Sequence, residues 1–155
     1  MKNHKGKFLL ALAAAGMVAA MPALAETKTA LVKFEITDGA SIQKSLTGKP
    51  GDPATGRALA INRKKGNCLA CHIMPIPEQL FHGNIGPDLA GVASRYNAGE
   101  LRLRLVDATV VNEDTIMPAF YRSANLHRVL KKFQGKTVLS TQEIEDILAY
   151  ILTLK

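Results

Sequence analysis

The most regular pattern of apolar and polar positions lies at the end of the chain, in "STQEIEDILAYILTLK", residues 140–155. Its apolar residues recur every three or four positions, which places them on one face of a helix: Ile144, Ile147, Leu148, Ile151 and Leu154. Ser140 and Glu143 have the spacing of a capping box at the start of this helix. The pattern predicts an amphipathic helix over residues 140–155, with Tyr150 beside its apolar stripe.

Two earlier segments are also predicted to be helical. In residues 51–62, Asp52 is a candidate N-cap. Gly56 and Ala60 are small residues on one face of this helix, where a second helix could approach closely and Tyr150 could pack. Residues 97–108 are less regular, because Leu101, Leu103 and Leu105 alternate as in a strand, while Asn97 and Glu100 mark a helix start. We predict a helix there too. Residues 26–50 form an extended arm in this interpretation, with one short strand in "LVKFEI".

The first 25 residues have a different pattern. Lys2, Lys5 and Lys7 precede an apolar run from Phe8 to Met21, and "ALA" at residues 23–25 is a small-residue cleavage site. This is the pattern of a secretory signal peptide cleaved after Ala25. The run is too short for a membrane anchor. Export predicts a periplasmic protein without a membrane span. Loss of the lysines lowers the formal charge from +7 to +4, and the scattered basic residues give no indication of nucleic-acid binding.

The two cysteines of the chain, Cys68 and Cys71, are followed directly by His72 in "CLACH". A disulfide over this spacing would stabilise the fold little. A zinc site would need two further ligands, and a thioredoxin-like dithiol would need a βαβ pattern that the sequence lacks. Cys-x-x-Cys-His is instead the attachment signature of c-type haem. We therefore predict two thioether bonds to one haem c, with His72 as an axial ligand of its iron.

The second axial position of the iron has several candidates. Met117 follows polar turn formers and precedes Pro118, which stiffens the loop that would present its thioether. Met74 is too close in sequence to His72 to reach the opposite face of the haem. His127 would give bis-histidine ligation, and His82 is expected on a loop or surface. Met117 is the predicted ligand, with a buried, gap-filling methionine as the alternative.

Several motifs together resemble class I cytochrome c: Cys-x-x-Cys-His, a Gly-Pro turn in "NIGPDLAGVASRY" (residues 84–96), a methionine followed by proline, and a final helix. The resemblance implies an all-α fold of short helices and loops around one covalent haem. It implies a hydrogen bond from His72 Nδ1 to the carbonyl of Pro87 and contact of Arg95 with a haem propionate. The domain would cover residues 51–155, and the protein without haem would be poorly folded.

A narrower resemblance covers the chain from about Ser45 to its end. The stretches "SLTGKPGDPATGRALAINRKKGNCLACH" (residues 45–72) and "TIMPAFY" (residues 115–121) are similar to the SoxX family, the small cytochromes of SoxAX complexes. The resemblance implies a SoxA partner that carries the active site, the SoxYZ carrier as the object of thiosulfate coupling, and a downstream cytochrome as electron acceptor. It places no catalytic residue on this chain, which would be the electron-transfer subunit of an L-cysteine S-thiosulfotransferase.

Other functions remain open at the sequence level. A free-standing electron shuttle would share every haem motif and differ only in having no permanent partner. A haem-based sensor or peroxidase would need an open or displaceable sixth position on the iron. A thiol oxidoreductase would keep its cysteines free and carry no haem.

Overall fold

The computed structural model describes residues 31–155. Its α-helices are α1 (Pro53–Ile61), α2 (Val92–Arg95), α3 (Ala98–Asp107) and α4 (Thr141–Ile151). Short 3-10 turns lie at Cys68–Ala70, Ala108–Val110 and Lys131–Phe133. The described part of the chain contains no strand, so the predicted all-α fold is confirmed. The predicted signal peptide and residues 26–30 of the arm lie outside the described residues.

The three long helices begin where the sequence predicts. The Asp52 carboxylate accepts a hydrogen bond from the backbone N–H of Thr55 at 2.6 Å. At the start of α3, Asn97 and Glu100 form both bonds of a capping box, as Ser140 and Glu143 do at the start of α4. These caps satisfy N–H groups that the first helical turn leaves without partners. Each observed helix lies within its predicted segment and is shorter than it.

The alternating leucines of α3 do not form a strand. Leu101, Leu103 and Leu105 are all buried, as are Arg102 and Val106 beside them. A helix enclosed by neighbours on most sides can bury residues at every position, so alternation there carries no information about a strand.

Helices α1 and α4 pack against each other through very close backbone contact. A Cβ atom added at Gly56 would overlap the carbonyl of Asp146 on α4, and one added at Gly51 would overlap the carbonyl of Glu145. Gly56 and Ala60 are therefore on the contact face, as the small-residue spacing indicates. The group that meets Gly56 is the α4 backbone, whereas the sequence suggested Tyr150, which lies near the Arg57–Glu78 ion pair.

The core is shared among α1, α3, α4 and the loops between them. Its fully enclosed side chains belong to several parts of the chain: Ile42, Ile76, Leu103, Val106, Leu139, Ile144 and Ile147. The helices and loops thus enclose one apolar cluster, to which loop residues contribute as well as helical ones.

The N-terminal arm differs from the prediction. "LVKFEI" is extended and exposed but pairs with no strand, and the Thr37–Ser41 bridge is isolated. The segment that follows is part of the core, because Ile42 and Leu46 are buried there. The Ile42 N–H donates to the carbonyl of Gly99 at 3.0 Å. Residues 42–46 therefore pack as part of the helical domain, ahead of the predicted boundary at residue 51.

Candidate functional site

The Cys-x-x-Cys-His motif folds as a tight turn. Asn67, with φ of 49°, starts the 3-10 turn. The N–H groups of Cys71 and His72 then both donate to the carbonyl of Cys68, at 3.2 and 2.9 Å. This turn places the two thiols and the imidazole within one short loop. Both cysteines are free and partly exposed.

The Cys68 thiol is not prepared for redox catalysis. Burial raises its pKa to about 11, and the neighbouring Cys71 adds to the rise. A reactive dithiol needs the opposite, a lowered thiol pKa that yields thiolate at neutral pH. The environment of the motif therefore argues against a thiol oxidoreductase.

His72 is oriented by a backbone carbonyl. Its Nδ1 lies 2.7 Å from the carbonyl oxygen of Pro87. A carbonyl only accepts hydrogen bonds, so Nδ1 carries the proton and Nε2 keeps its lone pair. Nε2 is the nitrogen that can bind a metal, and a bond from the other ring nitrogen to a carbonyl is the usual way of holding such a histidine.

The loop from residue 82 to residue 89 packs against the backbone of the Cys-x-x-Cys-His motif. The N–H groups of Gly83, Gly86 and Leu89 donate to the carbonyls of Leu69, Cys71 and Ile73, at 2.8, 2.8 and 2.9 Å. A Cβ added at Gly83 would overlap the Ala70 carbonyl, and one added at Gly86 would lie 2.7 Å from Nδ1 of His72. Glycine is thus required at both positions by close approach. The sequence motif contains Gly86, but nothing in it indicated the role of Gly83.

The candidate sixth ligands lie in different environments. Met117 is partly buried against the core cluster, and its N–H donates to Thr115 Oγ1 at 3.2 Å. Met74 is 3% exposed and belongs to the core itself, whereas His127 is exposed. His82 is half-buried; its Nδ1 accepts from the Met74 N–H at 3.3 Å, and its Nε2 is buried without a partner among the described residues.

Arg95 lies at the end of α2 and bonds to the Gly-Pro segment. Its guanidinium donates to the carbonyls of Asp88 and Ala90, at 2.7 and 2.8 Å. In this position it holds the backbone that follows Pro87. Its role toward a haem propionate stays a prediction.

The described residues fit a covalent haem. They offer two free thiols, an imidazole with Nε2 available, and a thioether on a loop. Apolar side chains next to the motif and next to Met117 are strongly exposed in the polypeptide, which suits a site that encloses a flat apolar group: Leu80 83%, Phe81 86%, Ile85 69% and Ile116 74%. No cluster of three or more His, Cys, Asp or Glu within residues 31–155 could hold a zinc ion instead.

Comparison with known proteins points in the same direction. The family model described as cytochrome c matches residues 53–155. Among solved structures, the chain is similar to a chain in the crystal structure of SoxXA from P. pantotrophus. The two share 35% sequence identity and a TM-score of 0.72, over 79% of this chain and 94% of that one. No curated protein matches the sequence. Within residues 31–155 no helix has the length and apolarity needed to span a bilayer.

Proposed function

The chain belongs to the cytochrome c family, and we propose that it is the electron-accepting subunit of a SoxXA-type complex in sulfur oxidation. Its family membership and its likeness to SoxXA make it a monohaem electron-transfer cytochrome that resembles SoxX. The observation that carries the proposal within this chain is the geometry of His72. Its Nδ1 is bonded to the Pro87 carbonyl, which leaves Nε2 free for iron.

Each residue of the site has a defined part in the proposal. Cys68 and Cys71 would form the thioether bonds, and His72 and Met117 would bind the haem iron. Haem c, when bound, supplies a one-electron iron couple. The Pro87 carbonyl fixes the imidazole and increases its basicity. A methionine sixth ligand raises the reduction potential relative to a second histidine. These residues favour a centre that accepts electrons from a partner of lower potential.

The division of labour with a partner follows from the cysteine count. Both cysteines of the chain are used in thioether bonds, so no thiol is left to bond a sulfur substrate. Joining thiosulfate to a carrier cysteine forms a sulfur–sulfur bond and releases two electrons. In the proposal, SoxA carries out this coupling on SoxYZ, and the present chain takes the electrons one at a time and passes them to a downstream cytochrome. The complex works in the periplasm, after removal of residues 1–25.

The axial assignment is tested by the Met117→Ala variant of the haem protein. The oxidised wild type should show the weak long-wavelength absorption band of iron–methionine ligation, and the variant should lose it. The matched control is Met74→Leu, a volume-conserving change in the core, which should keep the band. A band that persists in Met117→Ala would show that Met117 is not the ligand. A wild type without the band, which binds carbon monoxide when reduced, would favour the sensor or peroxidase function.

The partner is tested separately. A permanent subunit should co-purify with SoxA and remain with it through size-exclusion chromatography. A free-standing shuttle would elute alone while keeping the methionine band, so this outcome would reject the complex without affecting the axial assignment.

A further inference from the structure

The loop that carries Met117 runs from residue 108 to residue 121 and begins directly after α3. Most of its own hydrogen bonds are local. The N–H groups of Val111 and Asn112 both donate to the carbonyl of Ala108. The Thr115 N–H donates to the carbonyl of Asn112, and the Met117 N–H donates to Thr115 Oγ1. Such bonds shape the loop but do not attach it to the rest of the protein. Apart from the packing of Met117 against the core, the loop is attached to the rest of the protein at its two ends.

The backbone makes part of this attachment on the C-terminal side of the loop. The Phe120 carbonyl accepts from the N–H groups of Val138 and Leu139, at 3.0 and 3.1 Å. The Tyr121 N–H donates to the carbonyl of Val106 on α3, at 3.1 Å. The loop thus returns to the helix from which it started.

A side-chain cluster closes the loop at the same place, and we call Asp107, Thr109 and Arg122 the loop-closing cluster. The Asp107 carboxylate accepts from Nη1 of Arg122 at 2.9 Å and from Thr109 Oγ1 at 2.6 Å. Nη1 of Arg122 also donates to Thr109 Oγ1 at 3.0 Å. The Asp107 side chain is only 14% exposed, and that of Arg122 is 35% exposed.

The burial of this cluster makes it more than a surface ion pair. Exposed pairs contribute little, because water screens them and their side chains are mobile. Here the loss of Arg122 would leave a half-buried carboxylate without its cation, which is costly. Nε of Arg122 is itself buried without a partner among the described residues, so the guanidinium is held in place through Nη1. The cluster therefore resists separation of the two ends of the loop.

We infer that Arg122 is a positioning residue for Met117, because it fixes the ends of the methionine loop through Asp107 and Thr109. The inference rests on the proposed ligation of iron by His72 and Met117. When the cluster is broken, the loop moves away from the iron more often, and the thioether competes less well with ligands from solution. Met117 itself is unchanged and would still bind iron when the loop is closed, so the effect is on the fraction of molecules with the loop closed.

The test uses the full-length haem protein in the oxidised state and imidazole as the competing ligand. An external ligand binds only the fraction with Met117 displaced, so its apparent affinity reports that fraction. Arg122→Gln should raise the apparent affinity for imidazole about fivefold. It should also lower the temperature at which the methionine band is lost by more than it lowers the far-UV melting temperature. The matched control is Arg104→Gln: Arg104 lies on α3, 4.2 Å above the Tyr96 ring, and is outside the cluster. It should leave the imidazole affinity unchanged.

A double-mutant cycle tests whether Arg122 and Asp107 act through one interaction. Asp107→Asn should raise the imidazole affinity as Arg122→Gln does, and the double variant should show little more than either single change, because both remove one interaction. Full additivity would overturn the inference. An Arg122→Gln variant with the methionine band and the imidazole affinity of the wild type would also overturn it.

Two further outcomes are informative. If Arg122→Gln does not fold, Arg122→Lys keeps the charge and at least one donor, and it should give an intermediate affinity; wild-type affinity there would overturn the inference. A wild type that lacks the methionine band would reject both the proposed ligation and this inference. A wild type with the band, unaffected by Arg122, would reject the inference alone.

Discussion

At the scale of single residues, the orientation of His72 depends on a backbone carbonyl and on the absence of a side chain at a glycine. The Pro87 carbonyl holds Nδ1, and Gly86 leaves the space in which the ring lies. The residues of the motif supply the reactive groups, but the backbone of the loop from residue 82 to residue 89 sets their direction.

Gly86→Ala should therefore alter the iron site directly. The new Cβ would meet the His72 ring, so the ring or the loop must shift and the Pro87 bond must lengthen. We expect a lower yield of attached haem and, in the protein that forms, a changed reduction potential, since this bond tunes the imidazole. The measurements are haem content per chain and potentiometric titration.

The control for this change is Gly99→Ala. Gly99 lies in α3, and the three atoms nearest to an added Cβ all belong to the flexible Gln43 side chain, the closest at 3.1 Å. The haem content and the potential should then equal those of the wild type. A Gly86→Ala protein with both properties unchanged would show that the ring does not depend on this glycine.

The residue scale also shows what a sequence can reveal about a site. Cys68, Cys71 and His72 are found by spacing alone, because their chemistry requires them side by side. The interaction of Arg122 with Asp107 was not predicted, since it joins residues that only the folded loop brings together. Gly83 gave no signal because the group it approaches is a carbonyl, which every residue possesses.

At the scale of elements, the helix starts were predictable and the arm was not. Asp52, Asn97 and Ser140 cap their helices through contacts within three residues, so local sequence determines them. "LVKFEI" alternates as a strand would, yet a strand needs a partner with unpaired backbone groups. Within residues 31–155 the segment pairs with no strand and stays extended.

The start of α4 makes stability depend on pH. Glu143 is partly buried, which opposes ionisation, but Lys65 at 2.7 Å and the Ser140 N–H outweigh this and lower its pKa. A lowered pKa in the folded state stabilises the protein above the pKa of the unfolded chain, and this stabilisation is lost as the pH falls through the folded value.

Glu143→Gln isolates the charge, because glutamine can keep the capping-box hydrogen bond. The variant should be less stable by about 1 kcal/mol at pH 7, and the difference should shrink as the pH falls below the ordinary glutamate pKa of about 4.3. Urea unfolding across this pH range measures it, and Lys65→Gln should reproduce the profile. A difference that does not shrink on acidification would contradict the electrostatic explanation.

At the scale of the whole molecule, a buried ion pair joins the arm to the helices. Arg102 on α3 and Glu145 on α4 are 8% and 5% exposed at their side chains and lie 2.8 Å apart. Arg102 also donates to the Ile42 carbonyl at 2.7 Å, and Glu145 accepts from the Leu46 N–H at 2.8 Å. The pair therefore bonds two helices and the segment before residue 51 at one point.

Removal of one partner should cost far more than removal of both. Glu145→Gln leaves the Arg102 charge buried without its counter-ion, with an expected loss of about 3 kcal/mol in the free energy of unfolding. The double variant Arg102→Met/Glu145→Leu should recover much of that loss, because an apolar pair of similar size needs no counter-charge. The recovery should be incomplete, because the Leu46 N–H and the Ile42 carbonyl lose their partners. Chemical denaturation of all three variants measures this, and equal losses in the single and double variants would contradict it.

The packing of α1 against α4 has a consequence for the order of events as the chain is made. The first long helix finds its main partner almost a hundred residues later, and Ile42 and Leu46 also wait for the C-terminal half. A chain emerging from its N-terminus therefore cannot complete a core until its last helix has appeared. During that interval the Cys-x-x-Cys-His segment lacks the packed surroundings of the finished fold and is open to attachment chemistry. In the proposed function, late closure thus gives haem attachment at Cys68 and Cys71 time to precede folding.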